Sequence, residues 1–183
     1  MKIRFETERL RAHGHFNGEP GAPDAHAARR ALTLVRKVLP TCEAVMLIRD
    51  SDNDEQRIVG LRQARDAFHA SFAVAIGVAH TKRECWVISA FEPEGNHGQS
   101  ALKNLTESLG FDPRVESHRL ASRESADNRN PKHALGKLTT GEIAREQVGL
   151  EATPMAVLRQ RGNANGLADY FSEITQRLVP LLK

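Results

Sequence analysis

Aromatic residues are scarce: one Trp, one Tyr and seven Phe in 183 residues. A base-stacking platform for single-stranded nucleic acid would have to come from Phe or Arg. Cysteine is scarcer still. Cys42 and Cys85 are the whole complement, too few for a disulfide framework, so a reducing cytoplasm is the expected compartment. No apolar run approaches the roughly 18 residues needed to span a bilayer, and no signal-peptide pattern opens the sequence. Nor is there a large excess of either charge: 26 Lys and Arg face 23 Asp and Glu, a formal charge of +3. The basic residues are dispersed along the chain, which permits nucleic-acid binding without arguing for it. What remains is 40% hydrophobic and 27% charged, the composition of a soluble globular protein. The length suits one domain with a real core.

One stretch organises the rest: Ala44-Val45-Met46-Leu47-Ile48-Arg49-Asp50-Ser51-Asp52-Asn53-Asp54. A short unbroken apolar run with β-branched members reads as a strand buried on both faces, as in parallel sheets. Ligands of such sheets bind just beyond the carboxyl ends of the strands, where Asp50, Asp52 and Asp54 fall. If the extended geometry persists for two more residues, Asp50 and Asp52 point the same way, roughly 7 Å apart at their Cα atoms. Converging carboxylates repel unless a positive charge lies between them, and oxygen ligands suit Mg²⁺ or Mn²⁺. The expectation is a metal site at the tip of a central strand.

Around this strand the pattern alternates. Residues 2–11 read as a half-buried strand, followed by loop punctuation at His13-Gly14-His15 and Asn17 to Gly21. A helix then starts at Pro23-Asp24, with Asp24 as its N-cap, and is stopped by Pro40. The strand at 44–49 is followed by a helix at about 55–70 and a second buried strand at 72–79. Alternating helix and strand at this spacing predicts βαβ units. A short helix follows at 82–91 and a polar loop at 94–98. Leu102, Leu105 and Leu109 mark a helix closed by Gly110. Ser122 to Asn130 is the most polar stretch and reads as a mobile loop. Asn130-Pro131 and Thr153-Pro154 are cap-plus-proline helix starts. Leu167, Tyr170, Phe171, Ile174 and Leu178 form the apolar face of a closing helix. The expected architecture is α/β: a small, mainly parallel sheet flanked by helices over 1–95, and a helical C-terminal part over 96–183 packed on it as one structural domain.

Several chemistries compete for the acidic tip. A calcium loop matches Asp50, Asp52 and Asp54, but Glu55 stands where the sharp turn needs Gly and Leu61 where a bidentate Glu is required. An aspartate-based phosphatase of the haloacid-dehalogenase type uses an Asp-x-Asp pair after a strand, yet its pattern has Thr or Val where Asp54 stands. A solvated turn that merely favours the next helix is worth roughly 0.3–1 kcal/mol per acidic residue. Smaller signals point elsewhere. His13 and His15 lack a third ligand nearby. Arg57, Arg62 and Arg65 could meet phosphates or form a solvated helix face. Nothing near Cys85 marks a lowered-pKa nucleophile.

The order of hydrophobic strand, Asp50-Ser51-Asp52 and helix resembles the Asp-x-Asp motif of the Toprim domain. That domain is shared by primases, topoisomerases, recombination proteins and overcoming-lysogenization-defect nucleases. Arg83-Glu84-Cys85-Trp86-Val87-Ile88 resembles the Glu-x-Trp-hydrophobic segment of small stand-alone bacterial Toprim-like proteins. Asn130 to Leu135 is similar to their Pro-Lys-x-x-Leu segment, and Leu167 to Leu178 to their terminal helix. The match covers roughly residues 40–178. The resemblance implies a Toprim-like, Rossmann-like fold and a divalent-metal-dependent nuclease, with Mg²⁺ or Mn²⁺ on Asp50 and Asp52 and Asp54 as an auxiliary ligand. It also implies Lys132 or Arg49 offsetting phosphate charge. DNA is the expected substrate ahead of RNA, and a partner ATPase in phage defence and an oligomer fit the family. The family also carries an upstream Glu before a Gly-containing turn. Glu6 and Glu8 stand on the first strand, but no glycine follows directly in Thr7-Glu8-Arg9-Leu10. The Glu-bearing strand could be missing from this chain, and Glu84 could supply the carboxylate instead. A non-catalytic Toprim-like regulatory or binding subunit is the alternative reading.

Overall fold

Two seven-residue segments, β1 (Ala44–Asp50) and β2 (Ala73–Ala79), pair in parallel with Ala44 opposite Ala73 and Asp50 opposite Ala79. They form the sheet of a computed structural model that describes residues 15–182. The strand expected over 2–11, with Glu6 and Glu8, and His13 lie outside the described residues. Among those described, eight α-helices join the two strands, so the protein is α/β.

Helices α1 (Ala25–Val38) and α2 (Gln56–Phe68) cover one face of the sheet. Leu32, Phe68, Phe72 and Val74 form one cluster there, and Phe16, Ala28, Leu61, Ala64 and Ile76 another. Val45 and Leu47 turn inward to these clusters, while Met46 and Ile48 on the opposite face of β1 are 54% and 50% exposed. The expectation of a strand buried on both faces is therefore corrected: β2 is the buried strand, with Val74, Ala75, Ile76 and Ala79 inside. The reason lies in the second covering layer. The closing helix α8 (Leu167–Arg177) packs over β2, its Tyr170 ring against Gly77 and stacked on Trp86 at 5.1 Å between centroids. It reaches β1 through Tyr170 Oη, which donates to Met46 Sδ at 3.1 Å.

The remaining helices are α3 (Arg83–Ser89), α4 (Gly95–Leu109), α5 (Pro131–Thr139), α6 (Ile143–Ala152) and α7 (Met155–Arg161). Cys85, Val87 and Ile88 of α3 share a core with Leu105, Leu109, Leu120, Leu135 and Leu138. Trp86 and Ala90 share another with Leu158 and Leu167. Both cores take side chains from either side of residue 95, so no boundary cuts the packing there.

Local signals explain most helix ends. Asn130 Oδ1 accepts the His133 amide at 3.1 Å ahead of Pro131, and Gly110 closes α4 in the left-handed region at φ 78°. Three expectations change. The polar stretch at 94–98 is the first turn of α4, which begins at Gly95. Residues 143–152, read as no element, form α6. Asp24 precedes α1 as expected but at φ 65°, with no side-chain cap bond; its carboxylate meets Arg49 Nε at 3.1 Å and Arg57 Nη1 at 3.7 Å. Two guanidiniums compete for that carboxylate against a single backbone amide.

Gly60 of α2 lies hard against the segment that leads into α1, where an added Cβ would lie 1.8 Å from the Pro23 carbonyl oxygen. Gly60→Ala should therefore destabilise the protein by about 2–3 kcal/mol, lowering Tm by about 5–10 °C in a thermal melt, although Ala is the better helix former.

Candidate functional site

Backbone pairing extends past the named strands. Ser51 N–H donates to the Ala79 carbonyl at 2.9 Å, and Asp52 N–H to the Thr81 carbonyl at 3.0 Å. Ser51 is 2% exposed, with its Oγ 2.8 Å from His80 Nδ1. The chain then turns sharply through Asp52 and Asn53, at φ 48° and 66°. The extended geometry thus ends at Asp52 rather than continuing through it, and the three carboxylates diverge in their partners.

Asp50 Oδ1 accepts the Arg83 amide at 2.9 Å, joining the tip of β1 to the start of α3. Its Oδ2 makes no hydrogen bond with the described residues. Asp52 Oδ2 lies 3.1 Å from Arg57 Nη1, and its Oδ1 lies 3.9 Å from Lys82 Nζ. Asp54 Oδ1 accepts the amide of Gln56, the first residue of α2, at 3.0 Å. Arg57 also donates to the Asp50 carbonyl at 3.2 Å, which ties the turn to the helix that follows it. Among the described residues, no three His, Cys, Asp or Glu side chains are grouped so as to hold a metal ion. Asp50 and Asp52 are nevertheless hard oxygen donors of the kind Mg²⁺ and Mn²⁺ take, the second facing the cations Arg57 and Lys82.

Two hollows open at the carboxyl end of the sheet. The first, about 440 Å³, is lined by Asp52, Arg57, Thr81, Lys82, Ser122 and Arg123. The second, about 540 Å³, is lined by Lys82, Glu84, Asn130, Lys132, His133 and Lys137. The structure thus brings Glu84 and Lys132 into one hollow, Asp52 into its neighbour, and Lys82 into both. Arg49 is turned to Asp24 and lines neither. Of the three α2 arginines, Arg57 reaches the tip, whereas Arg65 forms an ion pair with Glu173 of α8 at 2.9 Å.

The loop above the hollows is built rather than loose. Ser122 N–H donates to the Arg129 carbonyl at 3.1 Å and Asn130 Nδ2 to the Ser122 carbonyl at 3.2 Å. Asn128 links Ser108 of α4 to Lys137 of α5. Two backbone and side-chain donors, Arg129 N–H first and the Ser122 hydroxyl second, hold the Asp127 carboxyl below its ordinary pKa.

Behind the tip, buried Asn165 acts as a hub. Its Nδ2 shares two hydrogens among the Cys85 carbonyl, Ser89 Oγ and Ser117 Oγ, all within 3.1 Å, and its backbone carbonyl accepts from Trp86 Nε1 and His80 N. This fixes α3, and with it the Arg83 amide that Asp50 caps. His118 lies in the same region; burial holds its pKa below the usual histidine value against the pull of Glu116, and His80 and Arg119 add to the depression.

Sequence reasoning missed Lys82, Lys137, Arg123 and the Ser51–His80 contact. Lys82 was within reach of the rule that ligands bind beyond parallel strands, since it follows β2 by three residues. Arg123, on an irregular loop, carried no local signal. Comparisons with models of protein families, with curated proteins and with solved structures find no match to this chain.

The chemistry also disposes of the cysteines. Cys85 is fully buried, its thiol pushed up by burial and bonded at 3.3 Å to the Ser117 carbonyl. Cys42 is only partly covered. A disulfide-exchange reagent should therefore titrate one thiol per native chain, Cys42, and both thiols only in denaturant, as counted by absorbance or intact mass.

Proposed function

We propose that the protein is a Toprim-like, divalent-metal-dependent nuclease that works at the tip of β1. The observation that carries this reading is the pairing of an Asp-x-Asp turn at the carboxyl end of two parallel strands with cations facing it. Asp52 is met by Arg57 and Lys82, and Lys132 stands in the adjoining hollow. A lone acidic cap has no need of such an arrangement. A site for a phosphodiester needs both charges, carboxylates for metal and cations for the phosphate.

Asp50 and Asp52 would hold Mg²⁺ or Mn²⁺, with Glu84 or Asp54 as an auxiliary carboxylate. When bound, the metal supplies polarisation of the scissile phosphate and a more acidic water. The chain's own residues do the rest. Lys82 and Arg57 release Asp52 as they turn to the incoming phosphate, so the same cations that face Asp52 neutralise the substrate. Lys132 takes a neighbouring phosphate. The Ser51–His80 contact and the Arg83 amide on Asp50 keep the turn from collapsing when the cations leave. Nucleic acid, DNA ahead of RNA, is the substrate class; a cytoplasmic setting agrees with two unpaired thiols, and no described helix is long and apolar enough to cross a membrane. A partner ATPase in phage defence follows from the Toprim resemblance alone.

A second reading, the non-catalytic binding subunit, is favoured by the engagement of all three carboxylates and the lack of a three-ligand group among the described residues. The two readings part on one assay. With Mn²⁺ present, wild-type protein should nick supercoiled plasmid, and Asp50→Asn or Asp52→Asn should slow nicking by about two orders of magnitude or more. Asn at 50 keeps an oxygen for the Arg83 amide, so the fold should survive, as circular dichroism would verify. A clean wild-type protein that binds plasmid but never nicks it establishes the second reading.

A further inference from the structure

A third hollow, about 500 Å³, lies between α4 and α5 and is lined by His97, Ser100, Asn104, Ser108, Asn128 and Lys137. It shares Gly136 and Lys137 with the Glu84–Lys132 hollow, which in turn shares Lys82 with the hollow at the acidic tip. The three are therefore joined in a row. Among the described residues, Arg57, Lys82, Arg123, Lys132 and Lys137 line the row, against the carboxylates of Asp52 and Glu84. Five cations against two carboxylates leave this lining with an excess of three positive charges. Arg123 and Lys132 have no carboxylate within 4 Å among the described residues. No Phe, Tyr or Trp lines any of the three hollows.

We infer that the three hollows form one track for a single nucleic-acid strand. It leaves the acidic tip across Lys82, passes Lys132 and Lys137 on α5, and ends in the Ser- and Asn-lined furrow of α4. This rests on the reading that the tip addresses nucleic-acid phosphate, and extends it to the path that the rest of the strand takes. The cations are spread over adjoining hollows rather than gathered in one, which suits a polymer of phosphates better than one free phosphate. Each hollow is small, 440 to 540 Å³, which suits the sugar–phosphate chain of one strand at a time rather than both. Without aromatic lining, bases gain no stacking. Attachment is to the sugar–phosphate chain, indifferent to sequence and sensitive to salt. The far furrow, with hydroxyl and amide donors and little charge, holds sugar and phosphate oxygens by hydrogen bonds.

Gly136 supplies the decisive variant. It lies at the junction of two hollows within α5, and a Cβ added there meets nothing within 4 Å. Gly136→Glu should leave Tm unchanged or raise it, because Glu is the better helix former, while placing a negative charge in the track. Binding of fluorescein-labelled twenty-nucleotide dT and dA strands, read by anisotropy in EDTA, should be equal for the two sequences within about twofold. Lys132→Gln and Lys137→Gln should each weaken binding about fivefold at 0.1 M salt and flatten the log–log salt slope by about 0.7. Gly136→Glu should weaken it by at least as much. Lys103→Gln, on the side of α4 away from the furrow and 3.9 Å from Glu107, should change nothing. Failure of wild type to bind either strand at 0.05 M salt overturns the track, as does binding unaffected by all three track variants. The two readings fail separately. Strand binding with these losses but no metal-dependent nicking removes the nuclease and keeps the track. Nicking that all three variants leave intact removes the track and keeps the nuclease.

Discussion

The site depends on backbone pairing that outlasts the strands. Had β1 and β2 parted at Asp50 and Ala79, the turn carrying Asp52 would be a free loop. Instead the Ser51 and Asp52 amides go on to the Ala79 and Thr81 carbonyls, and buried Ser51 contacts His80 from below. With both flanking amides committed, the acidic turn projects from a fixed base. The same constraint places Lys82 and Arg83 directly opposite it. Asp50 can then cap α3 while Asp52 meets Lys82. Alternating sides of one short turn thus serve structure and electrostatics.

Electrostatics also connects this turn to the distant layer of the fold. Asp24 and Asp52 share Arg57, and Asp24 holds Arg49 as well. These pairs are partly exposed, so each contributes little to stability. Their effect is positional. Arg49 is drawn toward α1, away from the hollows, and Arg57 is left bridging α2 and the tip. On the far side, Asn165 gathers one carbonyl, two hydroxyls and one indole around a single buried residue. An unsatisfied member of such a set would cost about 1–3 kcal/mol, which makes the junction of β2, α3 and α8 a rigid one.

Much of the frame was legible because its signals are local. The apolar runs at 44–50 and 73–79, the Asn130-Pro131 start and Gly110 at a helix end each act through neighbours within a few residues. The exposure of Met46 and Ile48 was not legible, since it depends on where α8 lands more than 100 residues later. Helix α6 has no buried residue and so lacks the apolar stripe by which a helix is recognised. Asp24 was read as a cap because nothing in its vicinity announces that Arg49 and Arg57 will arrive. The candidate site divides along the same line. Asp50, Asp52, Glu84 and Lys132 were singled out from short motifs, and three of them fall in the joined hollows. The cation row was invisible because positions 57, 82, 123, 132 and 137 share no window; only folding puts them side by side.

Trp86 is the chain's single tryptophan and Tyr170 its single tyrosine, and the two rings are stacked at 12° between planes. The protein therefore carries one built-in fluorophore beside one built-in neighbour that alters its emission. Trp86 stands one helical turn after Arg83, whose amide rests on Asp50, and against the helix that closes the chain. Light emitted at this one position reports whether the chain's last helix is docked on its sheet, without any label.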